Sequence, residues 1–263
     1  MSTQITYIGH ATTLIQSENF TLITDPMLSD QLFFLKRHIP LPLRPEALPE
    51  PTAILVSHAH YDHLDLPSFK YFSSKIPVIL PVGLGKLLER HIRNPLIELD
   101  HGMTHDISPG NRVTAFPVKH TSFRLSGLTY RGCNGYLIET DGKTVFFPGD
   151  TAYRNDFKSL LDRYRSEPLG AIDVALLPIG PCRPEWLMRT RHLNAVDALR
   201  VMRDLGAKKM IPIHWGIFRM SADPVEEAMQ EFQAELEKQK CRSPELNLSD
   251  HVHILQPGEN LMV

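Results

Sequence analysis

Three histidines and an aspartate crowd into six residues at His58-Ala59-His60-Tyr61-Asp62-His63. Neutral imidazole and carboxylate are the donors that Zn²⁺ and neighbouring divalent ions take. The run Ala53-Ile54-Leu55-Val56 just before them reads as a short buried strand. At the end of such a strand residues two apart point the same way, so His58 and His60 can share one ion. A turn after them presents Asp62 and His63 to a second position. A polar loop that is His-rich by chance is the competing reading, and the H-x-H-x-D-H spacing argues against it. A catalytic zinc takes three protein ligands and keeps one position open. His120 is the candidate third ligand for His58 and His60, and His214 the partner of Asp62 and His63. Asp150, after a glycine that lets the backbone come close, can bridge the two positions. Two ions about 4 Å apart would share a water whose pKa falls to roughly 7, giving a metal-bound hydroxide at neutral pH. Asp62 can also accept a hydrogen bond from that water and orient it.

These donors need elements that deliver them to one place. Ile5–Ile8, Thr12–Ile15 and Phe20–Ile23 are short β-rich runs parted by Gly9-His10 and Ser17-Glu18-Asn19, a meander that ends at Asp25. Strands are further expected over Pro77–Leu80, Pro95–Leu99, Arg112–Val118, Ala171–Leu177, Lys209–Ile213 and Val252–Leu255. Asn134–Glu139 and Thr144–Phe147 form a hairpin across Asp141-Gly142. Helices are expected over Pro67–Lys75, Gly83–Ile92, Asn155–Tyr164, Asn194–Leu205 and Pro224–Lys238, with Asn194 as a cap and Gly206 as a stop. His58, His60, His120, Asp150 and His214 all fall just past a strand, so they converge on one rim. Phe20–Asp25 and Thr144–Asp150 echo each other, each an apolar strand ending in aspartate and followed later by a buried strand, as in a duplicated lobe. Strands mixed with amphipathic helices suggest two sheets packed face to face with helices outside. No internal boundary is visible, so residues 1–263 read as a single domain. Pro26–Pro51 carries prolines at a density that prevents regular structure, with aromatics and leucines between them, and reads as a lid near the site.

The composition sets bounds. Apolar residues at 42% and charged ones at 22% suit a globular enzyme, and a formal charge of −2 gives no footprint for nucleic acid. Cys133, Cys182 and Cys241 are scattered without C-x-x-C spacing, which suggests reduced thiols. The first residues lack a charged stretch followed by an apolar one, and no apolar run is long enough to span a bilayer. A soluble, cytoplasmic protein is the expectation, with peripheral membrane contact left open and the oligomeric state undetermined.

The ordered set His58 through His63, His120, Gly149-Asp150-Thr151 and Ile213-His214-Trp215-Gly216 resembles the metallo-β-lactamase-fold hydrolases. Within them the chain is most similar to the N-acyl-phosphatidylethanolamine-hydrolysing phospholipase D-like branch. Gly9-His10-Ala11-Thr12, Thr24-Asp25-Pro26 and Pro178-Ile179-Gly180 contribute, as does Pro184-Glu185-Trp186 with Met188 and His192. The segments Thr121-Ser122-Phe123 and Arg131-Gly132-Cys133-Asn134 depart from that branch. The resemblance implies an αββα sandwich of two mixed β-sheets flanked by helices, two Zn²⁺ ions, and hydrolysis of a phospholipid-like or other small phosphodiester. The layout is also similar to that of ascorbate-phosphate lactonases, where Mn²⁺ can serve; a lactonase is therefore the alternative. His192 is the candidate contact to the substrate or leaving group and, with Asp62, a candidate catalytic residue. Arg183 and Trp186 are candidate substrate-binding residues, because guanidinium pairs bidentately with phosphate oxygens. His10 and Asp25 read as support or structure around the site. Phe33, Phe34, Leu35 and Ile39 either line a lipid-accepting groove or pack the core, and packing is favoured.

Overall fold

Short runs of β-branched and aromatic residues, parted by turn residues, pair into two sheets. In chain order the first contains β1 (Gln4–Gly9), β2 (Thr12–Ser17), β3 (Phe20–Thr24), β4 (Ala53–Leu55), β5 (Val78–Pro81) and β6 (Leu96–Leu99). The second contains β7 (Thr104–Ser108), β8 (Asn111–Pro117), β9 (Asn134–Thr140), β10 (Lys143–Phe147), β11 (Val174–Pro178) and β12 (Lys209–Ile213). A last strand, β13 (Asn260–Met262), returns to the first sheet beside β1. The strand orders are β13-β1-β2-β3-β4-β5-β6 and β12-β11-β10-β9-β8-β7. This computed structural model describes residues 2–124, 129–130, 132–163, 171–221, 224–242 and 248–263.

Both sheets are mixed, and they are mixed in the same way. In the first, β1, β2 and β3 pair antiparallel before β4, β5 and β6 add on parallel. In the second, β8, β9 and β10 pair antiparallel before β11 and β12 add on parallel. The echo between Phe20–Asp25 and Thr144–Asp150 therefore has a counterpart in topology: Asp25 follows β3 and Asp150 follows β10, the last antiparallel strand of each sheet.

Period-two alternation sorts the side chains. Ile5, Ile15, Leu22, Leu55 and Ile79 face inward, in one apolar cluster with Val113, Tyr136, Phe146 and Leu176 of the second sheet. Leu14, Ile23, Ile54, Val78 and Leu80 face the other way, into a second cluster covered by Phe69, Phe72, Leu84 and Leu88. Those covering residues belong to or adjoin a 3₁₀ turn (Leu66–Tyr71) and the one-turn helix α1 (Gly85–Leu88). Against the second sheet packs α4 (Ala195–Leu205), which also contacts α2 (Phe157–Arg163) and α5 (Glu227–Arg242), while Met188 of α3 (Glu185–Met188) lines the cavity at the rim. Leu199 and Met202 of α4 and Phe232 of α5 join the inner cluster. The result is the expected αββα sandwich.

Several elements differ from expectation for identifiable reasons. The helix expected over Pro67–Lys75 is the 3₁₀ turn instead, where Ser68 Oγ bonds the Asp65 carboxylate rather than leaving the backbone to coil on. The helix over Gly83–Ile92 shrinks to α1, because Glu98 Oε1 accepts the amides of Gly83 and Gly85. Val252–Leu255 contributes only a bridge from Val252 to Met210, and the edge position goes to β13. β7 was not anticipated; its exposed residues carry little apolar signal. α4 matches: Asn194 Oδ1 accepts the Asp197 amide at 2.9 Å, and Gly206 closes it at φ 61°. Tyr164, expected as the end of α2, and Arg131 lie outside the described residues. Pro26–Pro51 is largely irregular as expected, holding a two-residue hairpin and one 3₁₀ turn. It is anchored as well as overlying, since Met27, Leu28 and Leu32 are buried. Among the described residues no helix is long and apolar enough to cross a membrane.

Candidate metal centre

Every member of the site leaves a strand end or a tight turn on the same rim. His58, His60, Asp62 and His63 follow β4, and the loop winds on itself through bonds from the His63 and Leu64 amides to the His60 carbonyl. His120 follows β8, Asp150 follows β10 and His214 follows β12. His10 occupies the turn between β1 and β2. His10, Asp25 and His214 hold left-handed backbone angles of 58°, 34° and 62°, which non-glycine residues adopt at a cost. Gly149, at φ 57°, leaves room that a side chain would lose, since a Cβ there would lie 2.5 Å from Ser57 Oγ.

Among the described residues the donor atoms gather into three overlapping sets; Asp25, His58 and His63 form one, and the other two meet at Asp150. His58, His60, His120 and Asp150 form one set, with donor atoms within 4.8 Å of one another. His10, Asp62, His63 and His214 form the other, to the same limit. Asp150 Oδ2 lies 3.4 Å from His63 Nε2 and 3.9 Å from both His58 Nε2 and His120 Nε2, while its Oδ1 lies 3.5 Å from His214 Nε2. The seven residues that the spacing pointed to are thus brought together, with Asp150 between the two sets. His10 stands among them too, 2.8 Å from Asp62 through Nε2, with its carbonyl accepting the His214 amide.

Hydrogen bonds behind the rings decide which nitrogen faces inward. Asp25 accepts the Ser57 amide on Oδ1 at 2.6 Å, and on Oδ2 both the Ser57 hydroxyl at 2.5 Å and His63 Nδ1 at 2.6 Å. The Ser57 proton is thereby spoken for, so His58 Nδ1 donates to Ser57 Oγ at 2.9 Å. His120 Nδ1 donates to the Arg191 carbonyl at 3.0 Å. In each of these rings Nε2 is left to face the cluster.

The inward-facing atoms suit a cation. Ring nitrogens oppose ring nitrogens: His58 and His60 at 3.0 Å, His60 and His120 at 3.2 Å, His63 and His214 at 3.1 Å. Lone pairs at that range repel unless a proton or a metal ion sits among them. Burial pushes His60 down to about 4 and holds His58 well below the usual range, which keeps those lone pairs free. Burial opposes ionisation of Asp62 and Asp150, yet the histidines around them outweigh it and hold both carboxyls well below the usual range. Burial alone would lower His63, but Asp150, Asp62 and Asp25 hold it well above; the carboxylates draw positive charge to this spot. Asp150 Oδ1 is buried without a hydrogen bond. A divalent ion fits each of these observations.

The remaining candidates separate. His192, after α3, reaches the site: its Nδ1 is buried without a hydrogen bond and lies 3.4 Å from Asp150 Oδ2. Burial pushes it down to about 3, leaving a neutral ring. Arg183 is not brought to the cluster. It pairs with Glu227 and Glu231 of α5. Arg189 likewise pairs with Asp197. Trp186 is exposed and does not line the cavity over the cluster. Phe33, by contrast, does line it, whereas Ile39 packs against the core. Residues that sequence reasoning placed only at the margin, His10 and Asp25, are in the cluster and directly behind it. Arg124 was missed: its Nε donates to the Ala59 carbonyl at 2.7 Å and its Nη2 to that of Leu64, so it braces the histidine loop at both ends.

Comparison with known proteins agrees with this geometry. The family described as the beta-lactamase superfamily domain matches residues 21–215. The N-acyl-phosphatidylethanolamine-hydrolyzing phospholipase D 1 of Caenorhabditis elegans is 33% identical over 82% of this chain and 64% of its own length. The mitochondrial N-acyl-phosphatidylethanolamine-hydrolyzing phospholipase D of Saccharomyces cerevisiae is 31% identical over 93% of this chain and 55% of its own. The chain thus spans between about half and two thirds of these relatives. Igni18, a metallo hydrolase of Ignicoccus hospitalis, shares the fold with a TM-score of 0.71 at 23% identity, over 100% of this chain and 99% of that one.

Proposed function

The chain belongs to the metal-dependent hydrolases of the metallo-β-lactamase fold, and from there we propose that it is a dinuclear phosphodiesterase acting on a phospholipid-like or other small diester. The observation that carries this reading is the pair of donor sets meeting at Asp150 on the floor of one cavity. His58, His60 and His120 would hold one ion, Asp62, His63 and His214 the other, and Asp150 both. The imidazole-rich set favours Zn²⁺, with Mn²⁺ as the alternative. Two such ions supply Lewis acidity to the phosphoryl oxygens and make a water acidic near pH 7. The similarity to the Caenorhabditis elegans and Saccharomyces cerevisiae phospholipases D supports a phosphodiester as the substrate.

The chain's own residues do the rest. Asp62, fixed from behind by His10, accepts a hydrogen bond from the attacking water and orients it. His192, neutral and with a buried nitrogen free of hydrogen bonds, is placed to hydrogen-bond the leaving oxygen. Asp25, through His63 and Ser57, keeps the rings turned to the site. The test is hydrolysis of bis(p-nitrophenyl) phosphate by metal-stripped protein refilled with Zn²⁺ or Mn²⁺, beside Asp62→Ala. Metal-dependent cleavage is expected, falling about 10²- to 10⁴-fold in the variant. No diester cleavage by the refilled protein, with turnover of lactones instead, would replace the phosphodiesterase by a lactonase.

A further inference from the structure

The cavity over the cluster is charged at its floor and apolar at its wall. Leu32, Phe33, Phe123, Met188 and Met220 face its volume of about 420 Å³. No lysine or arginine lines it among the described residues, so nothing there meets a second anionic group on a substrate. The described wall suits an uncharged part of the substrate.

Two short hairpins supply the two phenylalanines of the wall from opposite parts of the chain. Gln31–Leu32 pairs with Leu35–Lys36 and presents Phe33 at its turn. Ser122–Phe123 pairs with Thr129–Tyr130 and presents Phe123. Both rings are more than half exposed, Phe33 at 56% and Phe123 at 57%. Phe33 also sits at φ 55°, a left-handed angle that is costly for an aromatic residue. A ring that is strained and wet stabilises the fold little; such features gather where a ligand is held. Both hairpins are fastened to the metal-binding loop. The Phe33 ring meets Tyr61 edge-on at 4.6 Å, and the Phe123 ring meets His60 at 5.6 Å. The Arg124 guanidinium lies over Tyr61 at 4.2 Å while bonding the carbonyls of Ala59 and Leu64.

We infer that Phe33 and Phe123 are the specificity-determining jaws of this site, gripping an uncharged alkyl or aryl arm of the substrate beside the scissile bond. The inference deepens the phosphodiesterase reading and rests on it. Its test uses methyl-, butyl- and octylphosphonate as probes, titrated calorimetrically into the zinc-refilled protein. Affinity rises about twofold per methylene in the native chain, below the fourfold of complete burial, so octyl binds about a hundredfold tighter than methyl. In Phe33→Asn and Phe123→Ala that ratio falls to about tenfold or less. Asparagine tolerates the left-handed angle, so Phe33→Asn melts no lower than the native protein and its effect is not one of misfolding. Equal affinities at all three lengths in the native protein, or an unchanged ratio in both variants, overturns the inference and leaves the phosphodiesterase reading standing. Failure of all three phosphonates to bind overturns both.

Discussion

Replacing Asp25 by asparagine tests how the cluster is held. The aspartate does not line the cavity over the cluster, yet its three accepted hydrogen bonds serve both donor sets, His63 directly and His58 through Ser57. Asparagine keeps an oxygen for the Ser57 amide, and its NH₂ then faces His63 Nδ1–H, donor against donor. The imidazole escapes by moving its proton to Nε2, where it accepts from the new amide through Nδ1. That tautomer turns an N–H toward Asp62, Asp150 and His214 and withdraws the lone pair a metal would use. One charge-assisted hydrogen bond is lost, about 1.5–3 kcal/mol, and removal of such an outer partner lowers metal affinity about 10- to 100-fold. The Ser57 hydroxyl loses its acceptor on Oδ2 as well and turns toward His58 Nδ1, so the His58 proton is displaced to Nε2 too. Zinc titration against a chromophoric chelator is expected to show both sites weakened, that of His63 directly and that of His58 through Ser57. Long-range ¹H–¹⁵N spectra of the metal-free variant should show the Nδ1 proton of His63 gone, with the proton on Nε2 kept. Two ions bound with native affinity by Asp25→Asn would refute the tautomer argument.

Three further outcomes follow from other contacts. Gly149→Ala pushes a Cβ to 2.5 Å from Ser57 Oγ and cannot easily keep φ 57°; urea unfolding should show a loss of about 1–3 kcal/mol, and zinc affinity should fall with it. Asn194→Ala removes the cap on α4 and should cost about 1 kcal/mol in the same assay while leaving zinc affinity unchanged. Burial pushes the Cys133 thiol up to about 11, so at pH 8 roughly one molecule in a thousand carries the thiolate, whereas Cys241 is exposed. Iodoacetamide should therefore label Cys241 first, with Cys133 labelling rising about tenfold per pH unit toward 11; equal labelling of both at pH 8 in folded protein would contradict the burial.

What could be read from sequence was what lies close along the chain or ends a strand. His58 to His63 are legible because four donors in six residues are a pattern in themselves. His120, Asp150 and His214 are legible because each follows an apolar run. His10 and Asp25 are single residues at turns, and only the pairing of β3 with β4 and the closing of β12 near β1 bring them to the cluster. Arg183 misled for the same reason in reverse. Arg183 and Arg189 sit beside Trp186 in sequence, but acids on α5 and α4 claim them, and charge alone cannot say which partner wins. The short elements around Leu66–Tyr71 and Gly85–Leu88 departed from expectation because side chains of Asp65, Ser68 and Glu98 took over backbone partners.

The stitching between the sheets has a consequence of its own. Tyr136 Oη on β9 donates to the Val56 carbonyl at 3.0 Å, and the Asn134 amide donates to the Ser57 carbonyl at 2.9 Å. Both bonds cross from the second sheet to the segment that leads into His58. Since Asp150 leaves the second sheet and His58 the first, the thickness of the sandwich acts as a caliper on the spacing of the donors. Residues far from any substrate, such as Phe116 and Phe146 stacked at 5.0 Å in the filling, then set how far apart the donors stand. Repacking that filling would retune the chemistry at the rim without touching a single donor.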